Sequence, residues 1–202
     1  MILQDMDFDG NTALNEEVTQ ACEALAEGRI VVLSGTRAGP VLAMAAEAVT
    51  PERVNFMARE ARGLVGMALT PRKAAMLGLS LQPRRGGGER PLFTVSIEAR
   101  QGIETGISSA DRALTILTAT HCDTGERIVT PGHIFPQISE GDAGAQADCA
   151  LALLKAAGLS PVAALCSMIG AGGEAVSDAD AEAFARAQGL VCVDARAIAP
   201  LV

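Results

Sequence analysis

The residue best suited to chemistry is His133, one of two histidines in the chain. It lies in the sequence Gly-His-Ile-Phe-Pro at 132–136, which has the character of a strand. An imidazole can accept and donate a proton near neutral pH, so His133 is a candidate general acid or base. A histidine with apolar neighbours is also typical of a hydrogen-bonded place in the core. The pattern alone leaves both interpretations open.

Three arginines form the most basic stretch of the chain. Arg84, Arg85 and Arg90 flank a run of three glycines within the segment 82–91. Guanidinium groups bind carboxylates and phosphates through paired hydrogen bonds, so the segment is a candidate site for an anionic ligand. The glycines are not followed by Lys-Ser or Lys-Thr, as a phosphate-binding P-loop requires. A solvated loop is the alternative interpretation.

The five cysteines are widely spaced and form no Cys-x-x-Cys pair, which disfavours a structural zinc site. Cys122 and Cys149 could be nucleophiles, although inert buried thiols are the simpler interpretation. The acidic N-terminal sequence lacks the pattern of a signal peptide. Together these features predict reduced thiols and a cytoplasmic location.

Helices and strands alternate along the chain. Apolar periodicity and capping residues predict helices over 13–27, 50–59, 70–78, 145–157 and 178–188, with another helix starting at 108–112. Apolar runs predict strands over 30–33, 64–69, 93–97, 132–136, 162–168 and 190–193. The segment 34–40, which holds two glycines and a proline, is predicted to be a turn. This alternation predicts a single α/β domain over 1–202 with a largely covered mixed sheet.

Composition excludes several classes of partner. The formal net charge is −8, the chain has two lysines, and it has neither Trp nor Tyr. An acidic chain without a basic stripe or aromatic platforms is not expected to bind nucleic acid or an anionic membrane. A few local arginines could still bind an anionic metabolite, so a small-molecule ligand is expected.

Several stretches together resemble the 3,4-dihydroxy-2-butanone-4-phosphate synthase family. They are Phe-Thr-Val-Ser-Ile-Glu-Ala at 93–99, Thr-Gly-Ile-Ser-Ser-Ala-Asp-Arg at 105–112, Pro-Gly-His-Ile-Phe-Pro at 131–136 and the helix 50–59. The resemblance implies a three-layer α/β sandwich around a mixed sheet, and a homodimer with active sites near the subunit interface. It also implies a lyase-type, magnesium-dependent rearrangement of ribulose 5-phosphate that expels formate.

The chain departs from the family at positions that the resemblance marks as essential. The family's acidic loop corresponds to 34–41, which has no carboxylate and keeps only Arg37 as a possible remnant. By the same alignment Gln146 replaces a metal-binding histidine, Asp148 replaces a glutamate and Ser167 replaces an essential glutamate. His133 is unchanged. Because magnesium prefers hard oxygen ligands, these losses predict that the chain has no metal site and no cofactor.

The resulting candidate site has two kinds of residue. His133 and Asp148 are the predicted catalytic residues. The predicted ligand-binding residues are Arg37, Arg84, Arg85, Arg90, Gln146 and Ser167.

Three functional hypotheses follow from these residues. The first is a repurposed relative whose remodelled pocket, between loop 34–41, segment 82–91 and His133, binds or transforms another small molecule. The second is a non-catalytic paralogue that senses a metabolite or partners a true synthase. The third is a working synthase that converts ribulose 5-phosphate to dihydroxybutanone phosphate and formate for riboflavin biosynthesis.

Overall fold

A mixed β-sheet organises the chain in the computed structural model, which describes residues 15–86 and 91–202. The strands are β1 (Val31–Ser34), β2 (Val41–Ala45), β3 (Arg62–Leu69), β4 (Leu92–Phe93), β5 (Ile97–Ala99), β6 (Ile128–Ile138), β7 (Val162–Met168) and β8 (Val191–Asp194). Their order is β4-β6-β3-β7-β2-β1-β8, with β5 paired to β6. Only β1 with β8 and β3 with β6 are parallel among the strand pairs of the described residues.

Among the helices of the described residues, all except α5 begin after a residue whose side chain caps the helix. They are α1 (Glu16–Ala26), α2 (Pro51–Ala61), α3 (Pro71–Met76), α4 (Ser109–His121), α5 (Gln146–Ala156), α6 (Asp178–Gln188) and α7 (Ala195–Ile198). Thr50, Thr70 and Ser108 each accept a hydrogen bond from a backbone N–H in the first turn of α2, α3 and α4, respectively. Within the described part of the chain, no helix is long and apolar enough to cross a membrane.

The sheet separates two hydrophobic cores because successive side chains of a strand point to opposite faces. Leu42 and Met44 of β2 pack on one face with α2, α4 and α6. Val41 and Ala43 pack on the other face with α1, α5 and α7. The predicted three-layer α/β sandwich around a mixed sheet is confirmed.

Two features of the sheet differ from the sequence prediction. The strand β2 was not predicted, because a short run of small apolar residues lacks a periodicity that separates strand from helix. The strand expected at 93–97 is divided between β4 and β5, since Thr94 forms only an isolated bridge, to Leu81. The strand expected at 132–136 is longer and extends over the whole of β6.

One end of the sheet collects several residues of the candidate site. Phe135 of β6 pairs with Gly66 of β3, so His133 lies towards the start of β3. Ser167 near the end of β7 pairs with Val41 at the start of β2. We refer to this end as the His133 end. At the opposite end, Ile138 of β6 pairs with Leu92 of β4.

Candidate functional site

His133 pairs with Glu98 across the contact between β5 and β6. The Nδ1 atom of His133 lies 3.2 Å from each carboxylate oxygen of Glu98. The pairing register slips between Ile97, opposite Ile134, and Glu98, opposite Val129, so residues 130–133 bulge out of the ladder. This bulge places the imidazole beside the carboxylate rather than in the core.

Close backbone approach fixes the position of the bulge. A Cβ atom on Gly132 would lie 2.1 Å from the carbonyl oxygen of Ile97, so only glycine fits there. The N–H of Gly132 donates to Oγ of Ser96 at 3.1 Å. These contacts hold the backbone next to His133 against β5.

The loop 104–106 packs against the same pair and is organised by Asp111. The Asp111 carboxylate accepts hydrogen bonds from the N–H groups of Glu104, Thr105 and Gly106 at 3.4, 3.1 and 2.9 Å. Burial alone would raise the pKa of Asp111, but these bonds and the Ser108 hydroxyl outweigh it and hold the pKa below its usual value. A Cβ on Gly106 would come within 2.4 Å of both Glu98 and His133. The loop therefore forms one wall of the His133 site.

Loop 34–40 is tied to the segment before α5. The Arg37 guanidinium donates two hydrogen bonds to the Asp142 carboxylate, at 2.7 and 2.8 Å. These bonds, with the N–H of Gly144, hold the pKa of Asp142 below its usual value. The Arg37 backbone N–H also donates to the Gly144 carbonyl at 2.8 Å. Arg37 is thus part of a link between two loops.

Gln146 completes this link at the start of α5. Its side-chain Nε2 donates to the carbonyl oxygen of Gly39 at 2.8 Å, and the residue is 3% exposed. Thr36 Oγ1 donates to the same oxygen at 2.5 Å. Gln146 therefore serves the backbone of loop 34–40 rather than facing an open cavity.

Asp148, predicted to be catalytic, is engaged by backbone N–H groups. Its carboxylate accepts from Glu140 at 3.0 and 3.3 Å and from Gly141 at 2.8 Å, and the residue is buried. Next to it, burial raises the pKa of the Cys149 thiol to about 12, which disfavours a nucleophilic thiolate at neutral pH. Asp148 and Cys149 both stabilise the segment before α5 in this arrangement.

Ser167 and His133 share one sheet end but are not in contact. Ser167 is half-buried on β7, opposite Val41. The strand β3 lies between β6 and β7, so two strand spacings, about 10 Å, separate the two residues. A ligand of metabolite size could span this gap at the His133 end.

Within one chain, the structure does not bring Arg84 and Arg85 to His133. The backbone N–H of Gln82 donates to the Phe93 carbonyl, and Phe93 pairs with Gln137. Four residues of extended β6 between His133 and Gln137 correspond to about 13 Å. The two exposed arginines therefore lie towards the opposite end of the sheet. Arg90 lies outside the described residues.

The residues at loop 34–40 do not fit a magnesium ion. Asp142 and Asp148 are occupied by Arg37 and by backbone N–H groups. Two further carboxylates lie beside Gly35: Asp178 accepts the Gly35 N–H, and Asp194 is paired with Arg196. In residues 15–86 and 91–202, no group of three or more His, Cys, Asp or Glu side chains is placed to hold a metal. Magnesium dehydrates reluctantly and requires oxygen ligands in near-octahedral geometry.

Glu98 is the residue of the candidate site that was not predicted from the sequence. It is separated from His133 by 35 positions, and only the pairing of β5 with β6 brings the two together. The signal available in the sequence was the position of Glu98, an acidic residue directly after the apolar strand predicted at 93–97.

Comparisons with known proteins identify similar chains. The family model described as 3,4-dihydroxy-2-butanone 4-phosphate synthase matches residues 19–200. A protein of that name from Pseudomonas aeruginosa is 38% identical over 188 residues, covering 88% of this chain and 51% of the relative. One from Cupriavidus pinatubonensis is 38% identical over 178 residues, covering 83% of this chain and 79% of the relative.

Solved structures agree with these relatives. A two-domain 3,4-dihydroxy-2-butanone 4-phosphate synthase from A. baumannii has a TM-score of 0.84 and 32% identity, covering 90% of this chain and 56% of that one. A synthase in complex with two magnesium ions has a TM-score of 0.79 and 28% identity, covering 90% and 94%. The chain thus spans about half the length of the P. aeruginosa relative and of the two-domain structure.

Proposed function

Because the chain belongs to the 3,4-dihydroxy-2-butanone 4-phosphate synthase family, we propose that it forms the product for which its relatives are named. The substrate in this proposal is ribulose 5-phosphate, and formate is the second product. The relatives at 34–45% identity carry the synthase or riboflavin-biosynthesis name, which favours this hypothesis over a changed reaction.

The observation that carries the proposal is the paired imidazole at the His133 end of the sheet. His133 is half-exposed and its Nδ1 is engaged by Glu98, which leaves Nε2 as the nitrogen able to exchange a proton with a bound sugar. Rearrangement of a carbon skeleton next to a carbonyl needs a group that takes and returns protons. We assign that role to His133.

A repurposed small-molecule site without magnesium is the second candidate function. The observation in its favour is the closed link of Arg37 with Asp142 and of Gln146 with Gly39, at the loop where the family resemblance implies acidic residues. Small or neutral residues such as Ser167 remain at the His133 end of the sheet, which suits a less charged ligand.

We test the two candidates by measuring formate release from ribulose 5-phosphate with magnesium present. The proposed function predicts formate from the wild type and a loss of about 10²-fold or more in His133→Ala, since general acid–base catalysis contributes about that much. The matched control is His121→Ala, which removes the other histidine, an exposed residue at the end of α4. This variant should retain full activity.

Absence of formate would overturn the synthase proposal, provided that a synthase relative assayed in parallel is active. A metabolite that then raises Tm in the wild type and is converted would support the repurposed site. Binding without conversion would support the non-catalytic paralogue.

We further propose that the chain is a homodimer and works in the cytoplasm, as its family resemblance implies. Leu64 and Ile107 are large apolar residues that are 51% and 58% exposed. Exposed apolar surface often marks a protein–protein contact, so these side chains support an interface. All five cysteines are free, which suits a reducing compartment. Light scattering of the purified chain measures the mass directly.

A further inference from the structure

We propose that Glu98 is a positioning residue that fixes the tautomer and the orientation of the His133 ring. This inference deepens the proposed function, on which it rests for the chemical role of the ring. The contact between Glu98 and His133 lies within the folded chain, so the tautomer that it selects can be measured without substrate.

The chemistry of the contact selects one tautomer. A carboxylate only accepts hydrogen bonds, and a neutral imidazole has one N–H. Because Nδ1 of His133 lies 3.2 Å from both oxygens of Glu98, the proton must be on Nδ1 for the contact to be a hydrogen bond. The lone pair is then on Nε2, the nitrogen on the far side of the ring.

The different exposures of the two side chains show which of them faces solvent. The side chain of Glu98 is 14% exposed and that of His133 is 44% exposed, so the carboxylate lies behind the ring and the ring faces outward. A carboxylate with this little exposure is stable only when hydrogen-bonded. Glu98 therefore orients the basic nitrogen towards the space where a ligand can enter.

The surroundings prevent either partner from moving away. Gly106 packs so closely that a Cβ there would collide with Glu98 Oε1 at 2.2 Å and with His133 Nδ1 at 2.4 Å. On the strand, the N–H of Ala99 donates to Thr115 Oγ1 of α4 at 3.1 Å, which anchors β5 immediately after Glu98. Loop and helix thus hold the carboxylate in the position from which it acts on the ring.

The test is nitrogen-15 NMR of protein labelled at histidine, recorded without substrate at mildly alkaline pH, where imidazoles are neutral. His121→Gln leaves His133 as the only source of ring signals. In this background we expect a single Nδ1–H tautomer. We expect Glu98→Ala to give a mixture of tautomers, and Glu98→Gln to restore part of the Nδ1–H form because its amide oxygen can accept the bond. Glu126→Gln, at an exposed glutamate, is the matched control and should leave the spectrum unchanged.

An Nε2–H ring in the His121→Gln protein would overturn the inference, and this measurement needs no change at position 98. An unchanged tautomer in Glu98→Ala would also overturn it. Where formate is released, Glu98→Ala should lower kcat by about 10²-fold with little change in KM. If no formate is released but the tautomers behave as expected, the proposed function fails and the positioning role stands.

Discussion

At the scale of single residues, Asp111 and Asp148 illustrate how buried carboxylates stabilise loops in this protein. Each side chain lies in the first turn of a helix and accepts backbone N–H groups from the segment that precedes it. The positive end of the helix dipole further favours an ionised side chain there. Both residues hold the loops that flank the candidate site in place.

Asp111→Asn should lower Tm at neutral pH, since the amide is a weaker acceptor for the N–H groups of loop 104–106. The folded-state pKa of Asp111 lies below the unfolded value of about 3.9. The ionised Asp111 carboxylate therefore stabilises the fold fully above the unfolded-state pKa, and this stabilisation is lost as pH falls through the folded-state pKa. We expect the difference in Tm between wild type and variant to shrink below about pH 4.

Thermal unfolding across a pH series measures this difference. Asp123→Asn, at an exposed aspartate outside the loop, is the control and should show little change. A gap in Tm that stays constant into the acid range would contradict the role of the Asp111 charge.

At the scale of elements, a lysine on α3 closes the end of α4. Lys73 Nζ donates to the carbonyl oxygens of Thr120 and Cys122 at 2.9 and 2.7 Å. The last carbonyl groups of a helix lack partners within the helix, so a cation there is favourable. The contact joins two helices that pack on the same face of the sheet.

Lys73→Met should reduce the free energy of unfolding by about 1.5–3 kcal/mol, the range for hydrogen bonds to a charged group. Lys155→Met is the matched control, because Lys155 is the only other lysine and is exposed near the end of α5. Urea titration of both variants gives the comparison. Equal losses in the two variants would show that the helix-end contact contributes nothing specific.

The elements also show what a sequence can predict. The starts of α2, α3 and α4 could be predicted from Thr50, Thr70 and Ser108, because capping is a local interaction within four residues. The bulge that presents His133 depends on contacts between residues 96–98 and 129–134, which no local pattern contains. His133 could be predicted from its motif, whereas Glu98 could not be linked to it. Asp148 was predicted to be catalytic. Its hydrogen bonds to Glu140 and Gly141 could not be predicted, because they form only when the chain folds back on α5.

At the scale of the whole molecule, sheet order decides which candidate residues can act together. The strand β6 runs from the His133 end to the β4 end, so Arg84 and Arg85 face a different part of the surface from His133. Ser167, Arg37 and Gln146 are gathered near the His133 end by β7, β2 and α5. Any single-chain site is therefore assembled from these elements and does not include Arg84 and Arg85.

Magnesium alone should leave the Tm of the substrate-free chain unchanged. The carboxylates near loop 34–40 are already bonded, and an ion that binds the folded state must raise Tm. Magnesium in enzymes is often held partly by substrate phosphates, so this expectation applies to the free protein under both candidate functions. A saturable rise in Tm on titration with magnesium chloride, absent with sodium chloride at equal ionic strength, would contradict it.

The link between loop 34–40 and the segment before α5 has a consequence for how the sequence can evolve. Arg37 and Asp142 share two hydrogen bonds, while Thr36 and Gln146 share one carbonyl oxygen. We therefore expect a mutation in either loop to change the effect of mutations in the other, which is epistasis between segments more than 100 positions apart. Introducing an acidic residue at Ala38 alone would add negative charge near Asp142 without a new partner. The route to an acidic loop passes through coordinated changes in both segments.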